Sequence, residues 1–272
     1  MVIVAIVFLS LLILSVLYIA MIMPRATDQP DMKAILTDYA HRGLFDKTAP
    51  ENSLAAFRRS VERGFGIELD VQLTADGQVV VFHDYTLERM CRADVRVSEL
   101  TLKDLRSYRL LDTEYTIPTL KEVLTLVGGR VPLLIELKGE SANDDLCLPV
   151  ARLLDEYEGP FCVESFNPML LRWFKVHRPE IARGQLVTNL LVEKKDGNRF
   201  LNFLLTGLFL NFLSRPDFIA CDIKHMGGPS YFICAKLFRV KRFYWTVRDK
   251  EDFEAIRESE AWSIFERFLP QK

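Results

Sequence analysis

The chain begins with a long apolar run. No charged side chain occurs between Val2 and Met23. As a helix rising about 1.5 Å per residue, this run is about 33 Å long, which matches the hydrocarbon core of a bilayer. It lacks the basic start of a signal peptide and exceeds the length of a signal peptide's hydrophobic region. The pattern predicts an uncleaved transmembrane anchor over residues 1–23, with a cleavable signal peptide as the alternative.

Beyond residue 36, short apolar or β-branched runs alternate with segments whose apolar residues recur at helical spacing. Period and composition predict strands at 66–71, 79–82, 131–137, 161–165, 218–221, 243–247 and 262–265. The predicted helices are 53–63, 119–127, 146–157 and 168–176. This alternation is typical of an α/β fold with a parallel sheet.

The number of strand candidates narrows the fold. About 235 residues with roughly eight strands favour a (β/α)8 barrel, since no glycine-rich nucleotide fingerprint supports a doubly wound sheet. Residues 24–35, with Pro24 and Pro30, are interpreted as a linker. The predicted organisation is therefore an anchor at 1–23, a linker at 24–35 and a barrel domain at 36–272.

Charge restricts the partners and the location. The 272 residues carry 35 basic and 37 acidic side chains, a net charge of -2, without a long run of either sign. We therefore expect no nucleic-acid partner. Arg25, Lys33 and Arg42 follow the apolar run and nothing basic precedes it, which favours a single-pass cell-membrane protein with a cytoplasmic catalytic domain.

A run of strictly alternating residues carries the first candidate chemistry. Between Ile67 and Leu73, Glu68 and Asp70 fall on one face of the strand, about 7 Å apart. If Asp76-Gly77 forms a two-residue turn, His83 lies directly opposite Asp70. A solvated polar face on a hairpin is the alternative.

Two more motifs add charged groups. His41-Arg42-Gly43 ends a short hydrophobic stretch, and Glu136 and Lys138 end a very apolar strand on one face. The three carboxylates are hard oxygen ligands of the kind that Mg²⁺ or Ca²⁺ prefers. Together with two histidines and cations for an anionic substrate, they indicate cleavage of a phosphoric ester.

The order of these motifs resembles that of the glycerophosphodiester phosphodiesterases. The matching strings are His41-Arg42-Gly43, Pro50-Glu51-Asn52-Ser53, Glu68-Leu69-Asp70-Val71, Thr74-Ala75-Asp76-Gly77, Val80-Val81-Phe82-His83-Asp84, Ile117-Pro118-Thr119-Leu120 and Glu136-Leu137-Lys138. Ser165-Phe166-Asn167-Pro168 and Trp245-Thr246-Val247 extend the match. The resemblance implies a distorted TIM barrel that hydrolyses glycerophosphodiesters to glycerol 3-phosphate and an alcohol.

The resemblance also implies roles for single residues. His41 and His83 would be the general acid/base pair. One histidine and a divalent metal, Mg²⁺ or Ca²⁺, would activate a neighbouring substrate hydroxyl, while the other histidine protonates the leaving oxygen. The metal ligands would be Glu68, Asp70 and Glu136, the phosphate would be held by Arg42 and Lys138, and Trp245 is a candidate for the substrate pocket.

The resemblance does not assign a role to Glu51 or to the segments 264–270 and 199–213. Glu51 lies in a turn before a predicted helix, so capping of that helix is an alternative to catalysis. Residues 264–270 depart from the Thr-Asp-x-Pro stretch of many relatives, which affects the closing edge of the pocket. Residues 199–213 are apolar but short for a membrane span, and predict a buried barrel helix with a loop. Alternatively, their apolar side, with Phe200, Leu208 and Phe209, meets the bilayer beside the active site.

Three functions remain open at this point. The first is metal-dependent hydrolysis of small-molecule glycerophosphodiesters. The second is lysophospholipase D-type cleavage of lipid-derived substrates at the membrane, using the same residues. The third is a catalytically silent, membrane-anchored binding protein.

Overall fold

A closed sheet forms the centre of the molecule. A computed structural model of the chain describes residues 1–27, 29–139, 143–193, 198–225 and 228–271. Its strands are β1 Tyr39–Ala40, β2 Gly66–Leu73, β3 Val79–Val81, β4 Leu133–Leu137, β5 Phe161–Ser165, β6 Arg183–Val187, β7 Phe218–Asp222, β8 Lys241–Val247 and β9 Trp262–Phe265. Parallel pairing runs from β1 through β2 and β4 to β9, and β9 pairs again with β1. The predicted eight-stranded TIM barrel is confirmed.

Helices surround the barrel. They are α1 Val2–Ile22, α2 Leu54–Arg63, α3 Glu88–Cys91, α4 Leu102–Leu105, α5 Leu120–Val127, α6 Cys147–Asp155, α7 Pro168–His177, α8 Arg199–Thr206, α9 Asn211–Ser214, α10 Pro229–Lys236 and α11 Lys250–Glu258. Local sequence sets several helix starts: the side chains of Ser53, Thr119 and Asn167 accept the first free backbone N–H groups of α2, α5 and α7. Each predicted helix is found within about two residues of its expected ends.

Two barrel strands were not predicted from the sequence: the two-residue strand β1, which is too short to show a period, and β6. β6 begins with Arg183-Gly184-Gln185 and lacks the apolar run that the prediction required. Arg183 is nevertheless buried, because its Nε donates to Ser214 O at 2.7 Å and its Nη1 lies 3.7 Å from Asp217. A polar strand start is thus stabilised by a partner that is distant in sequence.

The predicted hairpin register is wrong by one residue. β2 and β3 are antiparallel, but Gln72 pairs with Val80, and Phe82 N donates to Asp70 O at 2.9 Å. The turn contains three central residues, with Gly77 at φ 73°, where a two-residue turn was expected. Asp70 is therefore opposite Phe82, and His83 lies one position further along.

Helix α1 lies outside the barrel. It is the one helix of the described ranges that is long and apolar enough to cross a membrane, and most of its length is not buried against the domain. Only its last turn packs on the domain, where Ile22 is buried. The following segment contributes Met32 and Ile35 to a cluster with Tyr39 at the amino ends of the strands.

The apolar segment 199–213 divides into two parts. In α8 most side chains are partly or fully exposed, with Phe200 at 67%, so the buried-helix prediction is wrong for α8. Leu208 is 2% exposed and Phe209 is partly buried in the same cluster as Val187. The expectation that Leu208 belongs to an outward apolar side is also wrong.

Candidate active site

The candidate site lies at the carboxyl ends of the barrel strands, called here the mouth face. A cavity of about 630 Å³ opens there. Its wall includes the predicted site residues His41, Arg42, Glu68, His83, Glu136, Lys138 and Trp245. Asp70 lies beneath the wall and is 1% exposed. The barrel thus brings together all the site residues named from the sequence.

Three carboxylates meet at one point of the cavity. Glu68 and Asp70 share one face of β2, and parallel pairing sets Glu136 of β4 beside Asp70. One oxygen of each carboxylate lies within 4.8 Å of those of the other two. Strand alternation and the pairing of β2 with β4 are enough to assemble this cluster.

The charges of the cluster are only partly balanced. Burial, Asp70 and Glu136 raise the pKa of Glu68 well above its ordinary value. Burial also disfavours ionised Asp70, but the Lys138, His83 and Arg42 charges and a hydrogen bond from Asn52 hold its pKa well below the ordinary value. Lys138 Nζ lies 3.2 Å from Asp70 Oδ1 and 2.9 Å from Glu136 Oε1.

This donor set fits a divalent metal. Burial and the nearby carboxylates both raise the pKa of Glu68, and a cation between the carboxylates would offset their mutual repulsion. Oxygen ligands of this kind suit Mg²⁺ or Ca²⁺.

His41 is held in one tautomer. It follows β1, and its Nδ1 lies 2.7 Å from Glu266 Oε2. Burial opposes ionisation of Glu266, but its contacts with His41 and Arg248 lower its pKa to about 2. An ionised carboxylate only accepts hydrogen bonds, so Nδ1 of His41 carries the proton and Nε2 is left as the acceptor. Burial lowers the pKa of His41, partly opposed by the hydrogen bond to Glu266, and this shift favours the neutral ring.

His83 has a similar carboxylate. Its Nδ1 lies 2.6 Å from Asp84 Oδ1, and Asp84 Oδ2 accepts from Arg89 Nε at 2.6 Å. Arg89 also donates to both oxygens of Glu51, and Arg42 Nη1 donates to Glu51 Oε1 at 2.7 Å. A chain of ion pairs through Asp84, Arg89, Glu51 and Arg42 therefore leads from His83 to the residue that follows His41.

This network corrects the capping interpretation of Glu51. Ser53 caps α2, with its Oγ accepting from Ala56 N at 3.2 Å. Glu51 instead binds Arg42 and Arg89.

The His41-Arg42-Gly43 turn has a steric reason for its glycine. Gly43 has φ 82°, and a Cβ there would lie 2.9 Å from Phe57 Cδ1 and 3.0 Å from Ala56. The tight turn allows Arg42 N to donate to Glu68 Oε2 at 2.9 Å. It also directs the Arg42 side chain into the cavity wall.

Aromatic side chains line the far wall of the cavity. Trp245 and Phe166 contact edge to face, with centroids 5.6 Å apart. Trp245 Nε1 donates to Ala220 O at 3.0 Å, which fixes the indole. The predicted pocket residue Trp245 therefore presents a rigid apolar surface.

Three buried polar residues of the site were not predicted from the sequence. Glu266 lies in the stretch that departs from the family pattern, and its role depends on closure of the barrel. Asn52 Nδ2 donates to Asp70 Oδ2 at 2.8 Å, within the quoted Pro-Glu-Asn-Ser string. Glu164 lines the cavity beside Glu136, and burial, Glu68 and Glu136 raise its pKa well above the ordinary value. The Glu164-Ser165-Phe166-Asn167 sequence at a strand end was the available signal.

The chain is similar in sequence to known proteins. A family model described as "Glycerophosphoryl diester phosphodiesterase family" matches residues 41–265. A glycerophosphodiester phosphodiesterase of Caldanaerobacter subterraneus is 35% identical over 230 residues, covering 79% of this chain and 87% of that protein. An uncharacterised Bacillus subtilis protein, YqiK, is 28% identical over 247 residues, or 86% of this chain and 95% of that protein.

Solved structures share the fold. An Oleispira antarctica phosphodiesterase, solved with its product sn-glycerol-3-phosphate, superposes with a TM-score of 0.70 at 24% identity, covering 85% of this chain and 92% of that one. A Thermotoga maritima glycerophosphodiester phosphodiesterase gives a TM-score of 0.65 at 26% identity, covering 84% and 94%.

A TIM barrel with carboxylates and histidines at the carboxyl ends of its strands places the chain among the barrel enzymes, whose active sites lie at this face. Within that class, the match over residues 41–265 is decisive. The chain belongs to the glycerophosphoryl diester phosphodiesterase family and is a phosphoric diester hydrolase.

Proposed function

We propose that this enzyme hydrolyses glycerophosphodiesters to glycerol 3-phosphate and an alcohol, with the help of one divalent metal. One observation carries the proposal. The same cavity holds three carboxylates within 4.8 Å of one another and a neutral His41 whose Nε2 is free to accept a proton. A metal site and a general base at one point are the requirements of this reaction.

Glu68, Asp70 and Glu136 would hold the metal, either Mg²⁺ or Ca²⁺. When bound, the ion polarises the phosphoryl oxygens and neutralises charge that develops on them. Arg42 and Lys138 line the same cavity and would bind the phosphate. Both form ion pairs with the carboxylates, so the substrate phosphate shares these cations with Asp70.

His41 is the proposed base and His83 the proposed acid. His41 Nε2 takes the proton of the substrate hydroxyl next to the phosphate, and that oxygen attacks phosphorus. The bond to the leaving alcohol breaks, and His83 protonates the leaving oxygen. Water then opens the cyclic phosphate, with the two histidines exchanging roles. The carboxylates of Glu266 and Asp84 keep both rings oriented.

Helix α1 is the proposed membrane anchor. Its 21 uncharged and mostly apolar residues and its exposed surface support a single span, with residues 24–35 as a linker and the barrel over 36–272. The basic residues after α1 support a cytoplasmic catalytic domain in the cell membrane.

The reaction is tested with the full-length protein in detergent. Glycerol 3-phosphate release from glycerophosphocholine is measured with EDTA and after addition of Mg²⁺ or Ca²⁺. We expect EDTA to abolish release and one of the ions to restore it. The variants Glu68→Gln and His41→Ala should be inactive but folded, whereas the exposed-residue controls Glu180→Gln and His177→Ala should be fully active.

Two outcomes would contradict the proposal. Release that is insensitive to EDTA would exclude the metal. Absence of any turnover in the folded parent protein would favour the silent binding protein. Choline release from lysophosphatidylcholine with the same metal and residue dependence would support the lysophospholipase D-type reaction.

A further inference from the structure

The contacts of α1 with α10 fix the direction in which α1 leaves the barrel. Tyr18 Oη lies 3.0 Å from Ser230 Oγ, and Cys234 Sγ lies 3.3 Å from Ile22 O. Because α10 follows β7, Ser230 is near the mouth face and Cys234 is one turn nearer the amino ends of the strands. Helix α1 therefore runs from the mouth face toward the amino ends, and its residues before Tyr18 extend about 24 Å on the mouth side.

Contacts at the other end of α1 give the same direction. Asn211 Nδ2 donates to Ile22 O at 2.9 Å, and Arg215 Nη1 donates to Met23 O at 2.9 Å. Two residues later, Arg25 N donates to Pro216 O at 3.0 Å, and its side chain pairs with Asp217 at 3.5 Å. Pro216 and Asp217 immediately precede β7, at the amino ends of the strands.

Helix α8, near the mouth face, has an inverted polarity. Phe200, Leu201 and Phe203 are 67%, 44% and 49% exposed, whereas Asn202 is 9% exposed and lines the catalytic cavity. An amphipathic helix on a protein in water buries its apolar side. Leu191 and Val192, in the connection from β6 to α8, are also 41% and 62% exposed. A cluster of exposed large apolar side chains marks an interaction surface.

These five residues, Leu191, Val192, Phe200, Leu201 and Phe203, are called the mouth patch. Aromatic contacts join the mouth patch to α1: the Phe203 and Phe209 rings are 5.3 Å apart, and the Phe209 and Tyr18 rings are 5.7 Å apart. The same stretch of chain lines the cavity through Leu190 and Asn202. The anchor, the mouth patch and the active site are therefore continuous.

We propose that the mouth patch inserts into the bilayer that α1 spans, so that the catalytic cavity opens toward the lipid surface. The occupant of the patch is lipid because α1 rises from the same face and is packed against the same segment. The substrate class that fits this placement is a single-chain glycerophospholipid, which presents its phosphodiester at the membrane surface. This inference rests on the proposed phosphodiesterase function and on α1 as the anchor.

The surface is tested by a measurement that does not require turnover. The full-length Phe200→Cys protein, with the partly exposed Cys91 replaced by serine, is labelled with an environment-sensitive fluorophore and reconstituted into phosphatidylcholine vesicles. Val176→Cys is the matched control, because Val176 is 58% exposed and lies on the last turn of α7, at the amino-end side. We expect blue-shifted emission and quenching by brominated lipid at position 200 and neither at position 176.

Two results of this measurement would overturn the inference. Equal emission and quenching at the two positions would mean that the mouth does not face the lipid. A shielded label at position 200 that brominated lipid does not quench, with self-quenching between labelled chains, would assign the mouth patch to a second copy of the protein.

An activity assay provides a second test of the mouth patch. Phe200→Ser/Leu201→Ser is compared with the control Val176→Ser/Leu237→Ser, whose positions are 58% and 66% exposed. We expect the mouth variant to lose about tenfold on lysophosphatidylcholine in vesicles, since interfacial binding scales with buried apolar area. Activity on soluble glycerophosphocholine should be unchanged in both variants.

Equal losses on the two substrates would contradict the inference. A parent protein without turnover on either substrate would refute the proposed function. The fluorescence measurement would still decide whether the mouth patch contacts lipid.

Discussion

The hydrogen bond between His41 and Glu266 makes a specific prediction about the variant Glu266→Gln. Glu266 Oε2 faces His41 Nδ1, and Oε1 accepts from Arg248 Nε, both at 2.7 Å. A glutamine has only one acceptor oxygen, and the arginine always donates. The amide oxygen therefore turns to Arg248, and its NH2 group donates to Nδ1 of His41. That moves the ring proton to Nε2, where His41 can no longer act as a base.

The loss of activity depends on the free energy of the opposite amide orientation, in which the amide oxygen faces His41 and the NH2 group faces Arg248. Facing NH2 toward Arg248 loses a hydrogen bond to a charged group, which costs about 1.5–3 kcal/mol. The Arg248 side chain is 42% exposed, so solvent reduces the cost to the lower end of that range. A cost of about 1.5 kcal/mol lowers the fraction of His41 in the active tautomer, and hence kcat, about tenfold.

A second substitution separates this explanation from a general loss of packing. In Glu266→Gln/Arg248→Leu the amide is free to offer its oxygen to His41, since Arg267, which also contacts Oε1, is 69% exposed and can turn into solvent. We expect the double variant to be faster than Glu266→Gln, and Arg248→Leu alone to lose little. The assay is kcat for glycerophosphocholine at saturating metal, with melting temperatures as a check on folding. A double variant no faster than the single one would refute the tautomer argument.

Further predictions concern pH, metal and stability. Because the pKa of His41 is lowered, the acidic limb of the pH–rate profile should lie below about pH 6.5, and loss of the Glu266 charge should move it lower still. EDTA should lower the melting temperature in detergent by about 5–10 °C. Glu68→Gln should abolish this response without lowering the melting temperature of the metal-free protein, since Glu68 is held near other carboxylates. A Glu68→Gln protein whose melting temperature still falls as far on addition of EDTA would contradict the proposed role of Glu68 as a metal ligand. Arg183→Met leaves buried Asp217 poorly paired and should cost about 3 kcal/mol of unfolding free energy. The control Arg178→Met, which breaks an exposed pair with Asp155, should cost under about 1 kcal/mol, and equal costs would contradict this reasoning.

Local patterns predicted the parts of the site that lie on regular strands. The alternation in β2 gave the common face of Glu68 and Asp70, and the apolar run of β4 placed Glu136 at a strand end. Once the barrel fold was predicted, parallel pairing of β2 with β4 was enough to bring these carboxylates together. The same kind of pattern failed for His83, because an extra residue in the turn shifts every pair of the hairpin by one.

Contacts that depend on closure of the barrel could not be predicted from local sequence patterns. His41 and Glu266 are 225 positions apart, and nothing local to either one indicates the other. β6 was missed for a related reason, since the burial of Arg183 depends on Ser214 and Asp217 rather than on apolar neighbours in its own strand. The inverted polarity of α8 was visible as an apolar segment, but the outward direction of Phe200 required the fold.

Closure of the ring between β1 and β9 has a consequence for when the enzyme becomes active. His41 N donates to Phe265 O at 2.9 Å, and the ring of His41 depends on Glu266, the residue that follows β9. On a growing chain, all three residues of the carboxylate cluster have been synthesised once β4 has been made, but the proposed base acquires its tautomer only when β9 joins the sheet. The residue that orients the proposed base is therefore among the last to be added to the chain.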